Sequence, residues 1–392
     1  MFIGGGIYLT VMVLMMATLV GIKQFGVLVN YSNRLYAQSQ DLSGKLVNSE
    51  ARLSSASATL TMVMAEDQRL INQNLTQEIK AIHTTYEQTV LVYEDLLDLK
   101  ANTTKTAKFD DKLAEILKLL ANRNYATAGA QLAQLKTDIA GEQTKIAASF
   151  KIPENVPVNN SAPGSGFSRQ QVETDIGTFM VSIVAADLNS TRVIADTASN
   201  GTCGNDCPVM ALGDYTARSG AFAGINGPYF CPATYPQCAD KKNSFDTLLM
   251  NKSKVYFNSD NNVYSSVPAV IFQGNSARFV GKSSEWGRDT GPDSVIAAQP
   301  FLVSNGQSVF GGDGDPKKGS KGSRGFIGAT GNTVYIGFVH NATVAESARV
   351  LAKMGIQNAL NLDSGGSSAL WFGGYKVGPG RALPIGILLV RK

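Results

Sequence analysis

A short apolar strand that ends in a carboxylate and continues into glycine and serine is the arrangement in this sequence best suited to chemistry. It lies at Asn358-Ala-Leu-Asn-Leu-Asp-Ser-Gly-Gly-Ser-Ser-Ala369. Leu360 and Leu362 alternate as in a buried strand and Asp363 falls at its end, while Gly365 and Gly366 leave backbone N–H groups open to a bound anion. The plainer reading of Asp363 is a cap in a tight turn. A second patch, Gly224-Ile-Asn-Gly-Pro-Tyr-Phe230, precedes Cys231 and sets polar Asn226 beside a turn and two aromatics, which suits the wall of a ligand site.

These residues need elements to position them. Thr343-Val-Ala-Glu346 reads as a capping box that opens an amphipathic helix, with Val344, Ala348, Leu351 and Met354 on one face and Gly355 ending it. Residues 333–338 supply a strand before that helix. The order strand, helix, strand predicts that Asp363 sits at the carboxyl end of a sheet strand, where crevices in α/β sheets bind ligands.

Four motifs occur in order: Gly224-Ile-Asn-Gly-Pro-Tyr-Phe230, Ser323-Arg-Gly-Phe-Ile-Gly328, Asn361-Leu-Asp-Ser-Gly-Gly-Ser-Ser368 and Arg381-Ala-Leu-Pro384. Together they resemble the phosphodiester glycosidase family over roughly residues 168–392. Two positions differ from the family's usual pattern. Gly227-Pro228 stands where Gly-Gly is usual, and Ser364-Gly365-Gly366 where three glycines are usual. A positive φ at position 364 would strain a serine.

The resemblance implies hydrolysis of a sugar 1-phosphodiester between the anomeric carbon and the phosphate oxygen. A carboxylate must then stabilise or attack an oxocarbenium-like centre or move a proton, and cations or N–H donors must hold the phosphate. It assigns Asp363 as the carboxylate, with sugar binding or metal ligation as rival roles, and Arg324 and Arg381 as phosphate donors. Asn226, Gly227 and Tyr229 fall to substrate or loop ordering, and Ser364, Gly365, Gly366, Ser367 and Ser368 supply backbone and hydroxyl donors. His340, just past the 333–338 strand, is a candidate proton carrier, against the reading of a solvent-facing loop histidine. Asp246, Asp289 and Asp293 are undistinguished candidates for a second carboxylate. No residue set is assigned to a metal; a divalent cation is compatible with the site, and no other cofactor is called for.

Residues 311–325, rich in glycine and lysine, lack P-loop spacing and read as a mobile flap suited to an anionic polymer; Asp313 and Asp315 there do not follow the EF-hand pattern. All four cysteines cluster as Cys203-x3-Cys207 and Cys231-x6-Cys238 in polar loops. Local disulfides, 203–207 and 231–238, are the first choice among three connectivities, and a four-cysteine zinc site is the rival. Disulfides there would brace the aromatic wall.

Residues 2–22 carry no charged side chain and, as a helix, span about 31 Å, enough to cross a bilayer. An anchor is favoured over a cleaved signal, since no basic region precedes the segment. Lys23 and Arg34 follow it, which by the positive-inside rule points the rest of the chain inward, whereas the cysteines point to an oxidising space. Beyond the span, Leu42, Leu46, Leu53, Leu60, Met64 and Ile71 recur at helical intervals and continue as Leu75, Ile79, Ile82, Tyr86, Val90, Tyr93 and Leu97. That stripe suits a coiled coil or a packed helix. Residues 109–121 and 124–149 read as a helical hairpin with Leu113, Ile116, Leu117, Leu120, Leu132, Leu135 and Ile139 inward. This region shows no clustered ligands, and His83 reads as a surface or seam residue.

Residues 152–167, with three prolines, form the clearest linker. The 392 residues are 44% apolar with net charge +4, enough for a full core and without the basic striping of a nucleic-acid binder. The expected fold is α+β: a mixed-sheet catalytic domain with flanking helices at 168–392, an anchor at 1–23, a helical stalk at 30–150 and a linker at 151–167. The expected protein is a membrane-anchored extracytoplasmic glycosidase acting on a glycosyl phosphodiester in an envelope polymer or exopolysaccharide, with a homo-oligomer through the stalk left open. The rival classes are an inactive glycan-binding module and a stalk that docks partners.

Overall fold

The computed structural model describes residues 4–65, 67–259, 266–287, 289 and 291–392. The chain divides into two compact units, Met1–Ala81 and Ile82–Lys392. The first holds α1 (Gly4–Ala65) and the start of α2 (Asp67–Lys100). Its N-terminal part is long and apolar enough to cross a membrane, and the side chains of that window are exposed.

In the second unit, the end of α2 packs with α3 (Ala107–Ala121) and α4 (Tyr125–Ser149). Leu113, Ile116, Leu120, Leu132, Leu135 and Ile139 are buried there, while Leu117 is exposed. The buried face of α2 differs from the apolar stripe read in the sequence. Thr85, Thr89, Val92, Leu96 and Leu99 face inward, and Tyr86 is 47% exposed. Packing partners decide the face here, and Thr89 is tolerated inside because its hydroxyl donates to the Thr85 carbonyl at 2.7 Å. Glu94, on the opposite face of α2, is 4% exposed.

Three sheets make up the rest. The largest has seven strands in the spatial order Gly166–Thr174, Gly177–Asp187, Thr333–Ala342, Gly322–Thr330, Asn358–Asn361, Phe301–Ser304 and Gln307–Ser308. A second sheet orders Tyr375–Val377, Leu370–Phe372, Ala223–Asn226, Ile385–Arg391 and Thr191–Thr197. The third orders Tyr256–Phe257, Leu249–Met250, Ser294–Ala297, Ala269–Gln273 and Ser276–Val280. One core joins them, with Ile327, Ile336, Phe338, Leu360 and Leu362 of the first sheet meeting Ile225, Ile387, Phe257, Phe272 and Ile296 of the others.

The ladders among the described strands are antiparallel, and a parallel contact occurs only as the isolated Val158–Gln171 bridge, so the sheet is antiparallel rather than mixed. The strand-helix-strand unit exists, but its strands are not neighbours. Gly322–Thr330 lies between Thr333–Ala342 and Asn358–Asn361 and runs against both. Two further helices belong to this part: α5 (Leu212–Ser219), which covers the second sheet, and the single turn α6 (Pro316–Gly319). The last, α7 (Val344–Lys353), begins at the capping box, where the Thr343 hydroxyl accepts from the Glu346 N–H at 3.1 Å and the Glu346 carboxylate accepts from the Thr343 N–H at 2.7 Å. Its apolar face covers the side of the large sheet away from the shared core. Residues 151–165 are strapped to the sheet edge by Gln170, whose amide donates to the carbonyls of Asn159 and Ser161 at 2.7 and 2.8 Å.

Candidate active site

Asp363 leaves the end of its strand into a loop built to hold its carboxyl in place. Its N–H donates to the Gly227 carbonyl at 3.2 Å, and its own carbonyl accepts from the Asn226 amide at 2.8 Å. The Ser364 N–H donates to its Oδ1 at 2.8 Å, and the Ser367 hydroxyl bonds the carboxylate too. Only 8% of the residue is exposed. Burial pushes the carboxyl up to about 6, against the pull of Ser367, Ser364 and the nearby Arg381 charge. A carboxyl near that value carries a proton in mildly acidic medium and can give it away.

The loop conformation settles the question raised by Ser364. Ser364 is extended, with φ −139°, and the left-handed position is Gly365, with φ 63°. A serine is therefore unstrained at 364, and glycine is needed one residue later. Gly366 has a different reason: a Cβ there would collide with the Arg381 guanidinium. The bare backbone at 366 lets Arg381 lie over the loop, and the Arg381 N–H also donates to the Gly366 carbonyl at 2.8 Å. Gly227 faces Ile385 in the same way, its added Cβ falling 2.8 Å from the Ile385 Cβ. Gly325 is equally confined, since a Cβ there would stand 2.9 Å from the Asp363 carbonyl oxygen.

Asn226 is fully buried and ties two sides of the loop together, its Oδ1 accepting from the Ala369 N–H at 3.2 Å. Its bonds order the loop. Tyr229 stands on the other side, where its hydroxyl accepts from the Asn361 amide at 2.8 Å. Burial pushes the phenol up to about 12, and the Asp363 charge adds to that. Asn361 Oδ1 and Ser368 Oγ are buried without a protein partner among the described residues. Buried acceptors and hydroxyls of this kind are suited to a hydroxylated ligand.

Arg324 is brought close but is already engaged. Its Nε donates to the Ala342 carbonyl at 3.0 Å, and its Nη2 donates to the carbonyls of Lys317, at 2.9 Å, and Ser320. Burial lowers its pKa from the ordinary arginine value. The guanidinium thus clamps the 316–320 segment, and its charge reaches Tyr229. The flap region is accordingly tied down, with Asp315 capping α6 and Lys318 pairing with Asp313 and Asp315.

His340 lies inside the strand Thr333–Ala342, paired with Met180, rather than in a loop beyond it. Its ring is held between the hydroxyls of Ser323 and Ser182, both at 2.9 Å, and stacks beside Phe338. Burial, with the Arg169 charge second, pushes it down to about 4, so the ring is neutral at physiological pH. Its described hydrogen bonds do not reach Asp363. The three other carboxylates are used elsewhere: Asp246 beside Lys241, Asp289 on the Gly291 N–H, and Asp293 on Arg192 and the Gly274 N–H.

The cysteines form Cys203–Cys207 and Cys231–Cys238 disulfides, with Cα separations of 5.7 and 5.4 Å, which leaves no thiolate for zinc. The second closes a loop carrying Tyr235, whose ring lies 5.3 Å from the Arg381 guanidinium carbon. Among the described residues, no group of three or more metal-ligating side chains occurs.

Sequence reading missed the acidic end of α2. Glu94 Oε1 accepts from the Gln237 N–H at 3.2 Å, and Asp98 accepts from the Tyr235 hydroxyl. Lys317 stands 3.8 Å from both carboxylates. The available signal was the i, i+4 pair Glu94 and Asp98, on the helix face opposite Leu96 and Leu99.

Residues 219–390 match the model of the phosphodiester glycosidase family. No curated protein matches the chain. Solved structures similar to it include a hypothetical protein from Synechocystis, 13% identical over 58% of this chain and 62% of that one, with a TM-score of 0.39. The chain thus covers less than two thirds of that protein's length. Another is the catalytic domain of zebrafish N-acetylglucosamine-1-phosphodiester alpha-N-acetylglucosaminidase, in a form auto-inhibited by its pro-peptide. It is 13% identical over 60% of this chain and 87% of that one, with a TM-score of 0.43. A putative exported protein from Burkholderia pseudomallei K96243 is 12% identical over 54% and 74%, with a TM-score of 0.35. The span matched to the family contains Asn226, Tyr229, Arg324, Asp363 and Arg381.

Proposed function

We propose that this protein is a membrane-anchored, extracytoplasmic hydrolase that cleaves the bond between the anomeric carbon and the phosphate oxygen of a glycosyl 1-phosphodiester in an envelope polymer or exopolysaccharide. The observation that carries the reading is the buried Asp363 carboxyl, pushed up to about 6, beside the Arg381 guanidinium on a glycine loop. In this reading Arg381 holds the phosphate and steadies its growing charge, and Asp363 donates its proton to the departing phosphate oxygen. Water adds to the anomeric carbon as the carbon–oxygen bond breaks and releases one proton to solvent, from which Asp363 is reprotonated. The bonding pair leaves with the phosphate oxygen, and the products are a free sugar and a phosphomonoester. Tyr229, Asn361 and Ser368 face the sugar hydroxyls.

In this reading residues 1–23 are the anchor, 30–150 the helical stalk, 151–167 a linker and 168–392 the catalytic part. The exposed apolar N-terminal helix and the two disulfides support an extracytoplasmic setting. The stalk side chains Leu42, Leu46, Leu53 and Leu60 are exposed, which suits coiled-coil pairing with another copy.

The test is hydrolysis by the full chain in detergent with water labelled by oxygen-18. The reading expects the label on the sugar, from attack at carbon. Label on the phosphate would mean cleavage at phosphorus and would remove the glycosidase assignment.

A further inference from the structure

We propose that Asp98, on α2, is a positioning residue of the phosphodiester site, which fixes the Tyr235 ring and thereby aims the Arg381 guanidinium at the substrate phosphate. The inference rests on the glycosidase reading above and extends it to a helix outside the span matched to the family.

Arg381 is long and flexible, and its described backbone tie is the bond to Gly366. The guanidinium is steadied by the Tyr235 ring, 5.3 Å from its central carbon. Tyr235 is in turn only 8% exposed, so its hydroxyl needs a partner, and Asp98 accepts it. Lys317 completes the arrangement, 5.0 Å from the same ring and 3.8 Å from Asp98. The buried Glu94, one helical turn earlier, holds the backbone of the same disulfide loop at Gln237. Helix α2 therefore holds both the ring and the main chain of the loop on which Arg381 rests.

The experiment uses the full chain in detergent as wild type, Asp98→Ala, Asp98→Asn and Tyr235→Phe. It reads kcat and KM on a sugar 1-phosphodiester and the affinity for glucose 1-phosphate by calorimetry. Asp98→Ala is expected to raise KM about tenfold and weaken glucose 1-phosphate by a similar factor, with kcat within about twofold. Asp98→Asn keeps an acceptor for the Tyr235 hydroxyl and is expected to recover most of that affinity. Should the alanine variant fail to fold, Tyr235→Phe carries the same expectation. Unchanged KM and affinity in Asp98→Ala or Tyr235→Phe would overturn the inference. So would a rise in kcat/KM, which would make α2 an obstruction. If the wild type binds glucose 1-phosphate but releases no sugar, the glycosidase reading falls and the affinities alone judge Asp98. If the wild type does not bind it, both fall.

Discussion

Asp363 combines two properties that oppose each other in a folded protein. It is buried where a charge is costly, and it sits where the proposed chemistry needs a titrating group. Because burial raises its folded value to about 6 from the ordinary 3.8, the folded state keeps a proton that the unfolded chain releases. Stability from this group is therefore full below pH 4 and is lost as the pH rises through 6, by about 3 kcal/mol in all. Asparagine does not titrate and can still accept the Ser364 N–H. In urea unfolding, Asp363→Asn should gain on wild type by up to about 3 kcal/mol between pH 4 and pH 7. Equal pH slopes for the two proteins would show that Asp363 ionises freely. At this scale much of the site was legible. Asp363, Gly365 and Gly366 were singled out by type and spacing, yet the separate reasons for the two glycines, a left-handed φ and the passage of Arg381, depend on a chain segment fifteen residues on.

Elements place these groups, and their legibility follows how local their causes are. The capping box at Thr343 and Glu346 is a short-range bond pair, so the start of α7 could be read directly. The pairing of the cysteines was local too. By contrast, the strand Gly322–Thr330 enters between the two strands that α7 connects, a long-range pairing that periodicity does not report. The face of α2 was misjudged for the same reason, since Thr85 and Thr89 are buried by what packs on them. Arg324 was read as a phosphate donor, but the carbonyls of Ala342, Lys317 and Ser320 occupy its Nε and Nη2. The disulfide loop is the element on which Tyr235 is carried. Replacing Cys231 and Cys238 by serine removes a short-loop constraint and should lower stability by about 2 kcal/mol. Thermal unfolding of the oxidised protein beside the double variant measures this, and an unchanged midpoint would mean that the loop is held by its hydrogen bonds alone.

At the scale of the whole molecule, the helices and the sheet-bearing part are not independent modules. The unit Ile82–Lys392 includes the last turns of α2, α3 and α4 together with the three sheets. Composition set the two ends of the chain apart, an uncharged apolar start and a mixed globular remainder, but gave no sign that an acidic helix end would hold the 231–238 disulfide loop. That contact is a product of the fold.

A protonated Asp363 is the acid of the proposed reaction, so the most direct measurement is kcat/KM for a sugar 1-phosphodiester against pH, with the full chain and with Asp363→Asn. The predicted wild-type profile is level below pH 6 and falls about tenfold per unit above it, while the variant is slower by at least about a hundredfold and loses that inflection. A wild-type rate that climbs through pH 6, or an Asp363→Asn protein as fast as wild type, would contradict the account.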